Sequence, residues 1–142
     1  MLFNVRNLLF AATLALFFAA VCATDITSTQ FIKIVNVYRV NNNANLPALV
    51  ENADLNNASS TYVKAAAQEE SVSPSSRSAI NEDLIAKGYK FVASEPMGGA
   101  DNFVEFFKGI AGDGSGFMLS PTYNLAGFAR DGEYWVLYLG SK

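Results

Sequence analysis

The chain has 142 residues, of which 51% are hydrophobic and 13% aromatic, and its formal net charge is −3. It contains no histidine and one cysteine, Cys22. The absence of histidine excludes Ser-His-Asp catalysis, histidine metal ligands and a histidine pH switch. The acidic balance, without a lysine or arginine cluster, leaves no electrostatic site for nucleic acid.

The first 23 residues have the pattern of a secretory signal peptide. Arg6 precedes an apolar run over 8–21, and the small residues Val21 and Ala23 stand before the expected cleavage point. This run is shorter than the roughly 20 residues that a membrane span needs, so we expect cleavage and not a retained anchor. The pattern therefore predicts a secreted, extracellular protein without a membrane span.

Cleavage would divide the chain into a signal peptide, 1–23, and a single domain, 24–142. The domain keeps nine basic residues against 13 acidic ones, because Arg6 leaves with the signal. Cys22 leaves as well, and we expect a cysteine-free domain without disulfides.

Two helices are predicted in the first half of the domain. Thr27 and Gln30 fit a capping box, and apolar residues at helical spacing extend this first helix to about Val40. The second helix begins at about Asn52. It contains Asn57-Ala58-Ser59, a sequon that makes Asn57 a candidate for N-glycosylation; an unused sequon on a polar helix face is the alternative.

A third helix is predicted over 79–87 and ends at Gly88, which stands where a C-cap glycine belongs. Residues 89–94 predict a strand, which the following EPMGGADN breaks with a proline and two glycines. Asp101 or Asn102 then caps a fourth, aromatic-rich helix.

The end of the chain predicts a β-hairpin, with Asp131-Gly132 as its type I′ turn. The second strand is apolar on both alternating faces, so helices must cover it on both sides. These elements predict an α+β fold: a three-layer α-β-α sandwich around a small, mainly antiparallel sheet.

Several stretches resemble, in order, the CAP superfamily, whose SCP-like domains occur in cysteine-rich secretory, antigen 5 and pathogenesis-related 1 proteins. The stretches are NVYR at 36–39, LPALVENADLNNASSTYVKAAA at 46–67, KGYKFVASE at 87–95 and MLSPTYNLAGFA with YWVLYLG at 118–140. The resemblance covers nearly the whole domain and implies the same α-β-α sandwich.

Members with an intact cleft present two histidines and two acidic residues that can hold a divalent metal. Here the histidine positions fall near Val72 and Gly114, neither of which can ligate a metal. Glu95 and, less directly, Glu105 match the acidic positions and are the ligand-cleft candidates. We therefore expect no metal, no cofactor and no catalytic residues.

The resemblance implies a non-enzymatic binding module, either for a sterol or fatty acid or for an extracellular protein partner. An apolar ligand would lie between helices, near Phe31, Tyr38, Phe103 or Phe107.

Two alternatives stay open from the sequence. A degenerate hydrolase or protease of the CAP type would use Ser94, Ser115 or Ser120 with a lysine or glutamate as the base. A purely structural extracellular or wall-associated protein would need only a stable fold.

Overall fold

The computed structural model describes residues 26–43, 45–112 and 116–142. The predicted signal peptide with Cys22, and the positions Gly114 and Ser115, lie outside the described residues. The elements in chain order are α1 (Ser28–Asn42), β1 (Val50–Glu51), α2 (Ala53–Glu69), α3 (Arg77–Ala86), β2 (Phe91–Met97), α4 (Phe103–Ala111), a 3₁₀ turn (Phe117–Leu119), β3 (Leu125–Asp131) and β4 (Tyr134–Ser141). Within these ranges, no helix is both long enough and apolar enough to cross a membrane.

The described strands form one sheet in the order β1-β3-β4-β2. Strand β4 pairs antiparallel with both β2 and β3, whereas β1 pairs parallel with β3 over two residues. The mainly antiparallel sheet is therefore confirmed. The short strand β1 was not predicted, because two residues are too few to show a period.

Strand β4 sends its side chains into two separate cores. Trp135, Leu137 and Leu139 pack in a cluster with residues of α1 and α4. Val136 and Tyr138 pack in a second cluster, with residues of α2 and α3. Since helices cover both faces of the central strand, the three-layer sandwich is confirmed.

Aromatic rings fill the core on the α1 and α4 side. Phe31 stacks on Phe128 with ring centroids 4.3 Å apart, and Phe106 lies 5.3 Å from Phe31 and 5.5 Å from Trp135. The Trp135 indole Nε1 donates to the Ala100 carbonyl oxygen at 2.8 Å, so its polar atom is satisfied inside the core.

Helix α2 packs directly on the sheet at Gly127. A Cβ atom at this position would overlap the backbone of Leu55 and Asn56. The Asn56 side chain fastens the same contact, because its Oδ1 accepts from the Phe128 backbone N at 3.1 Å and from the Ser28 hydroxyl at 2.6 Å. One amide thus joins α1, α2 and β3.

The predicted starts of α1, α2 and α4 are confirmed by their caps. Thr27 forms the capping box with Gln30, and Asn52 and Asn102 accept hydrogen bonds from backbone N–H groups in the first turns of α2 and α4. Gly88, with φ +95°, follows α3 as predicted. Helix α1 extends two residues beyond the predicted end, and α3 spans Arg77–Ala86 instead of 79–87.

The predicted end of β2 is wrong. The strand continues through Glu95 and Pro96 to Met97, paired with β4 throughout. Proline is tolerated because β2 lies at the edge of the sheet, where the Pro96 nitrogen, which has no hydrogen to donate, faces away from β4.

The predicted hairpin turn is wrong by one residue. Asp131 still pairs with Tyr134, so the two-residue loop consists of Gly132 and Glu133. Gly132 has φ +58°, and Glu133 is not among the positive-φ residues. Glycine at the first central position is typical of a type II′ turn, which suits the strand twist as well as type I′ does.

Candidate functional site

A groove of about 350 Å³ lies between the end of β2 and the carboxyl end of α4. It contains Glu95, the first of the two ligand-cleft candidates. The residues that line it are Glu95, Pro96, Met97, Gly109, Ile110, Gly112 and Gly116. Four of the seven are glycine or proline, so the backbone itself forms much of the surface.

The Glu95 carboxylate is held by the backbone of the opposite wall. Its Oε1 accepts a hydrogen bond from the Phe117 backbone N at 2.7 Å. A Cβ at Gly116 would lie 2.9 Å from both this oxygen and the Ile110 carbonyl oxygen. Glycine at 116 therefore permits the close approach of the chain to the carboxylate.

Phe117 places an aromatic ring at the surface next to this groove. Its side chain is 47% exposed, although its backbone N–H is bonded to Glu95. The exposed ring rests edge-on against Tyr123, with centroids 6.0 Å apart. An exposed aromatic ring on a backbone fixed by Glu95 therefore lies beside the groove.

Arg39, the arginine of the NVYR stretch, anchors the segment that carries Phe117. The side chain is 1% exposed, and its guanidinium donates to the carbonyl oxygens of Met118 at 2.6 Å, Ser120 at 3.1 Å and Tyr123 at 3.2 Å, as well as to that of Pro47. Burial lowers the pKa of Arg39 below its usual value. Carbonyl dipoles therefore take the place of a counter-ion around this guanidinium.

Asn36, the asparagine of the same stretch, holds the backbone of Leu49. Its Nδ2 donates to the Leu49 carbonyl oxygen at 2.9 Å, and its Oδ1 accepts from the Leu49 backbone N at 2.7 Å. The NVYR stretch is thus a structural motif that ties two loops to α1. The sequence does not show this role, because the partners are backbone groups of two loops, between 8 and 84 residues away along the chain.

Glu105, the second ligand-cleft candidate, does not line the groove with Glu95. It lies in the first turn of α4, where its Oε2 accepts from the Asp101 backbone N at 2.8 Å. Its own backbone N donates to Asn102 Oδ1 at 3.1 Å. The spacing Asn102-x-x-Glu105 is a capping signal, and the contacts of Glu105 are those of a helix cap.

Val72, which stands at the first of the two predicted histidine positions, does not line the groove either. A Cβ at Gly98 would lie 2.8 Å from a Val72 methyl group, and the Val72 carbonyl oxygen accepts from the Tyr62 hydroxyl. Throughout the described ranges, no three His, Cys, Asp or Glu side chains are grouped as a metal site would require.

The aromatic candidates for an apolar ligand lie in the core between α1 and α4. Phe31, Phe103 and Phe107 are buried, and the half-buried Tyr38 packs edge-on against Phe107 with centroids 5.3 Å apart. None of the four lines the groove. The apolar-ligand site stays a prediction.

Neither of the described serine candidates is paired with a base. The Ser94 hydroxyl is buried without a hydrogen-bond partner in the described part of the chain, and the Ser120 hydroxyl oxygen accepts from the Thr122 backbone N. A serine nucleophile needs an adjacent base, which these contacts do not supply.

The chain is similar to known proteins in its fold but not in its sequence. Neither a protein-family profile nor a curated protein sequence matches the chain. Similar solved structures include the following two, and the chain spans about two fifths of the length of each. An extracellular protein containing an SCP domain from Bacillus anthracis str. Ames has a TM-score of 0.66 and 12% identity, over 81% of this chain and 40% of that one. A cysteine-rich secretory protein from Staphylococcus aureus subsp. aureus Mu50 has a TM-score of 0.62 and 17% identity, over 79% and 37%. The chain therefore has a divergent SCP-like fold.

Proposed function

We propose that the chain is an exported, non-enzymatic SCP-like module that binds an extracellular protein partner at the groove beside Glu95 and Phe117. The exposed ring of Phe117 carries this proposal. Large aromatic side chains on anchored backbone are frequent centres of protein interfaces, since they bury much area and lose little conformational freedom on binding.

The chemistry of the groove indicates what the partner presents. Glu95 offers a carboxylate that is already partly satisfied by the Phe117 N–H. The domain as a whole is acidic. A partner that places a lysine or arginine next to an apolar side chain would satisfy both the carboxylate and the ring.

Export is supported by the signal-peptide pattern and by the two similar structures, which are described as an extracellular and a secretory protein. The non-enzymatic assignment is supported by Val72 at a position where the resemblance implies a histidine. It is also supported by the two described serine candidates, Ser94 and Ser120, whose hydroxyls contact no base.

The test uses a photo-cross-linking amino acid at position 117, with the same amino acid at position 91 as the control. Phe91 is also exposed, at 54%, but lies at the opposite end of β2. We expect a discrete cross-linked protein from the extracellular fluid of the producing organism at 117 and none at 91. Equal labelling at both positions would contradict the proposed surface.

Affinity measurements with the captured partner refine this test. Phe117→Ala should weaken binding at least about tenfold, the loss typical of a central interface residue, while Phe91→Ala should leave it unchanged. Glu95→Gln should weaken binding mainly at low salt, because an exposed charge pair is screened. A partner that binds all three variants equally would place the interface elsewhere.

A lipid-binding assay distinguishes a sterol or fatty-acid ligand from a protein partner. Saturable binding of a fluorescent fatty acid or sterol, lost in Tyr38→Ala and kept in Phe117→Ala, would favour an apolar ligand over a protein partner. Turnover of an ester or peptide panel, lost in Ser94→Ala or Ser120→Ala, would contradict the non-enzymatic assignment.

A further inference from the structure

The sequence contains one N-glycosylation sequon, Asn57-Ala58-Ser59, and it lies within α2. Asn57 is exposed, and its side-chain amide makes no hydrogen bond in the described part of the chain. It stands at the rim of a groove of about 740 Å³ between α1, α2 and the β3–β4 hairpin. A sugar on Asn57 therefore has room without displacing any element.

Ser59, the hydroxyl residue of the same sequon, is fully buried at 0% exposure. Its Oγ donates to the Leu55 carbonyl oxygen at 2.7 Å. Residues two apart on a helix do not share a face, so the folded helix points Asn57 outward and Ser59 into the protein. An enzyme that must contact both side chains cannot do so on folded α2.

We infer that Asn57 is N-glycosylated and that the sugar is transferred before α2 packs against the sheet. In the transfer, Asn57 Nδ2 forms a bond to C1 of the first sugar of a lipid-linked oligosaccharide. The bond from C1 to the diphosphate oxygen breaks, the lipid diphosphate leaves and Nδ2 loses one proton. The unfolded segment presents both side chains, and folding then buries Ser59 and leaves the sugar outside.

This inference rests on the export that the proposed function includes, but not on partner binding. The sequon lies on α2, whereas Glu95 lines the groove between β2 and α4, and Phe117 lies in the 3₁₀ turn beside it. Loss of the sugar should leave partner binding through Phe117 unchanged.

The first experiment tests the site. The full chain, and a version with the host's own leader in place of 1–23, are secreted from a eukaryotic host and weighed as intact proteins. We expect an added glycan that peptide:N-glycanase removes with conversion of Asn57 to aspartate. Asn57→Gln should abolish it, and Asn45→Gln, at an exposed asparagine outside any sequon, should keep it. Secreted protein without sugar at Asn57 in both versions would overturn the inference.

The second experiment tests the order of events. Unglycosylated protein from bacteria is incubated with purified oligosaccharyltransferase and a lipid-linked oligosaccharide, as the folded wild type and as Gly127→Ala, whose added Cβ forces α2 off the sheet. We expect transfer to the wild type to be at least about tenfold slower, because it depends on rare opening of α2. Equal rates, with the wild type shown to be folded by circular dichroism, would overturn the order.

Discussion

Arg39 and Pro47 are joined by two hydrogen bonds, from the guanidinium Nε and Nη2 to one carbonyl oxygen at 3.1 and 2.8 Å. Together with the bonds to the loop that follows α4, they make Arg39 the connection between two distant segments. Arg39→Met should lower the free energy of unfolding by about 3–5 kcal/mol, because it leaves buried carbonyls without donors. Urea unfolding measures the loss.

Arg77→Met, at an exposed position of α3, is the matched control and should change stability by less than about 0.5 kcal/mol. If the free energy of unfolding of Arg39→Met lies within about 1 kcal/mol of the wild-type value, the carbonyl groups have found other donors.

Substitutions of Trp135, the only tryptophan, measure how much packing in the core contributes to stability. Trp135→Ala should cost roughly 3–5 kcal/mol, the usual range for deleting a buried large aromatic. Trp135→Phe keeps most of the packing but leaves the Ala100 carbonyl oxygen without its donor, and should cost less, about 1–3 kcal/mol.

The Trp135 measurement is thermal or urea unfolding followed by circular dichroism. The wild-type tryptophan fluorescence should shift to longer wavelength on unfolding, because the buried ring becomes solvated. An Ala variant as stable as the wild type would contradict the central position of β4.

Gly127 tests the contact between α2 and the sheet. Gly127→Ala should destabilise the protein by more than about 3 kcal/mol, since the added methyl meets helix backbone that cannot move aside alone. Gly109→Ala is the control: its Cβ would lie 2.5 Å from the Met97 sulfur, but a methionine side chain can change rotamer. Differential scanning calorimetry should give Gly127→Ala a much lower melting temperature than Gly109→Ala. Similar melting temperatures for the two variants would argue against the backbone contact.

Glu51 should contribute to acid denaturation. The Thr29 hydroxyl donates to its carboxylate at 2.6 Å and lowers the pKa of Glu51 from its usual 4.5. A carboxyl whose folded-state pKa is depressed stabilises the fold above its unfolded pKa and loses this contribution as the pH falls through the folded value. The free energy of unfolding should therefore fall below about pH 4.5, and fall less in Glu51→Gln.

Urea titrations at several pH values measure this difference. Glu82→Gln, at an exposed position of α3, should keep the full pH dependence. If the free energy of unfolding falls equally with pH in the wild type and in Glu51→Gln, Glu51 does not contribute to acid denaturation.

The sequence predicts those features of the fold that arise from local chemistry. Thr27, Asn52 and Asn102 start helices because their side chains bond backbone groups within the next turn. The two apolar faces of β4 predict its central position, since each face needs its own layer of helices.

Features that depend on distant partners could not be predicted. The pairing of β2 through Pro96 follows from its place at the sheet edge, which no local window shows. The carbonyl partners of Arg39 at Met118, Ser120 and Tyr123 lie about 80 residues away, so only the fold reveals them. The candidate groove also depends on the fold, because Glu95 and Phe117 are 22 residues apart and meet only in the folded chain.

The position of Pro96 at the edge of the sheet limits polymerisation of the protein at high concentration. An outer strand is a template on which another chain can add its own strand, and repeated addition leads to fibrils. The outward-facing nitrogen of Pro96 cannot donate to such a strand, so the ladder would be interrupted near the end of β2. A concentrated solution can thus hold many copies of this domain with one route to polymerisation closed at that edge.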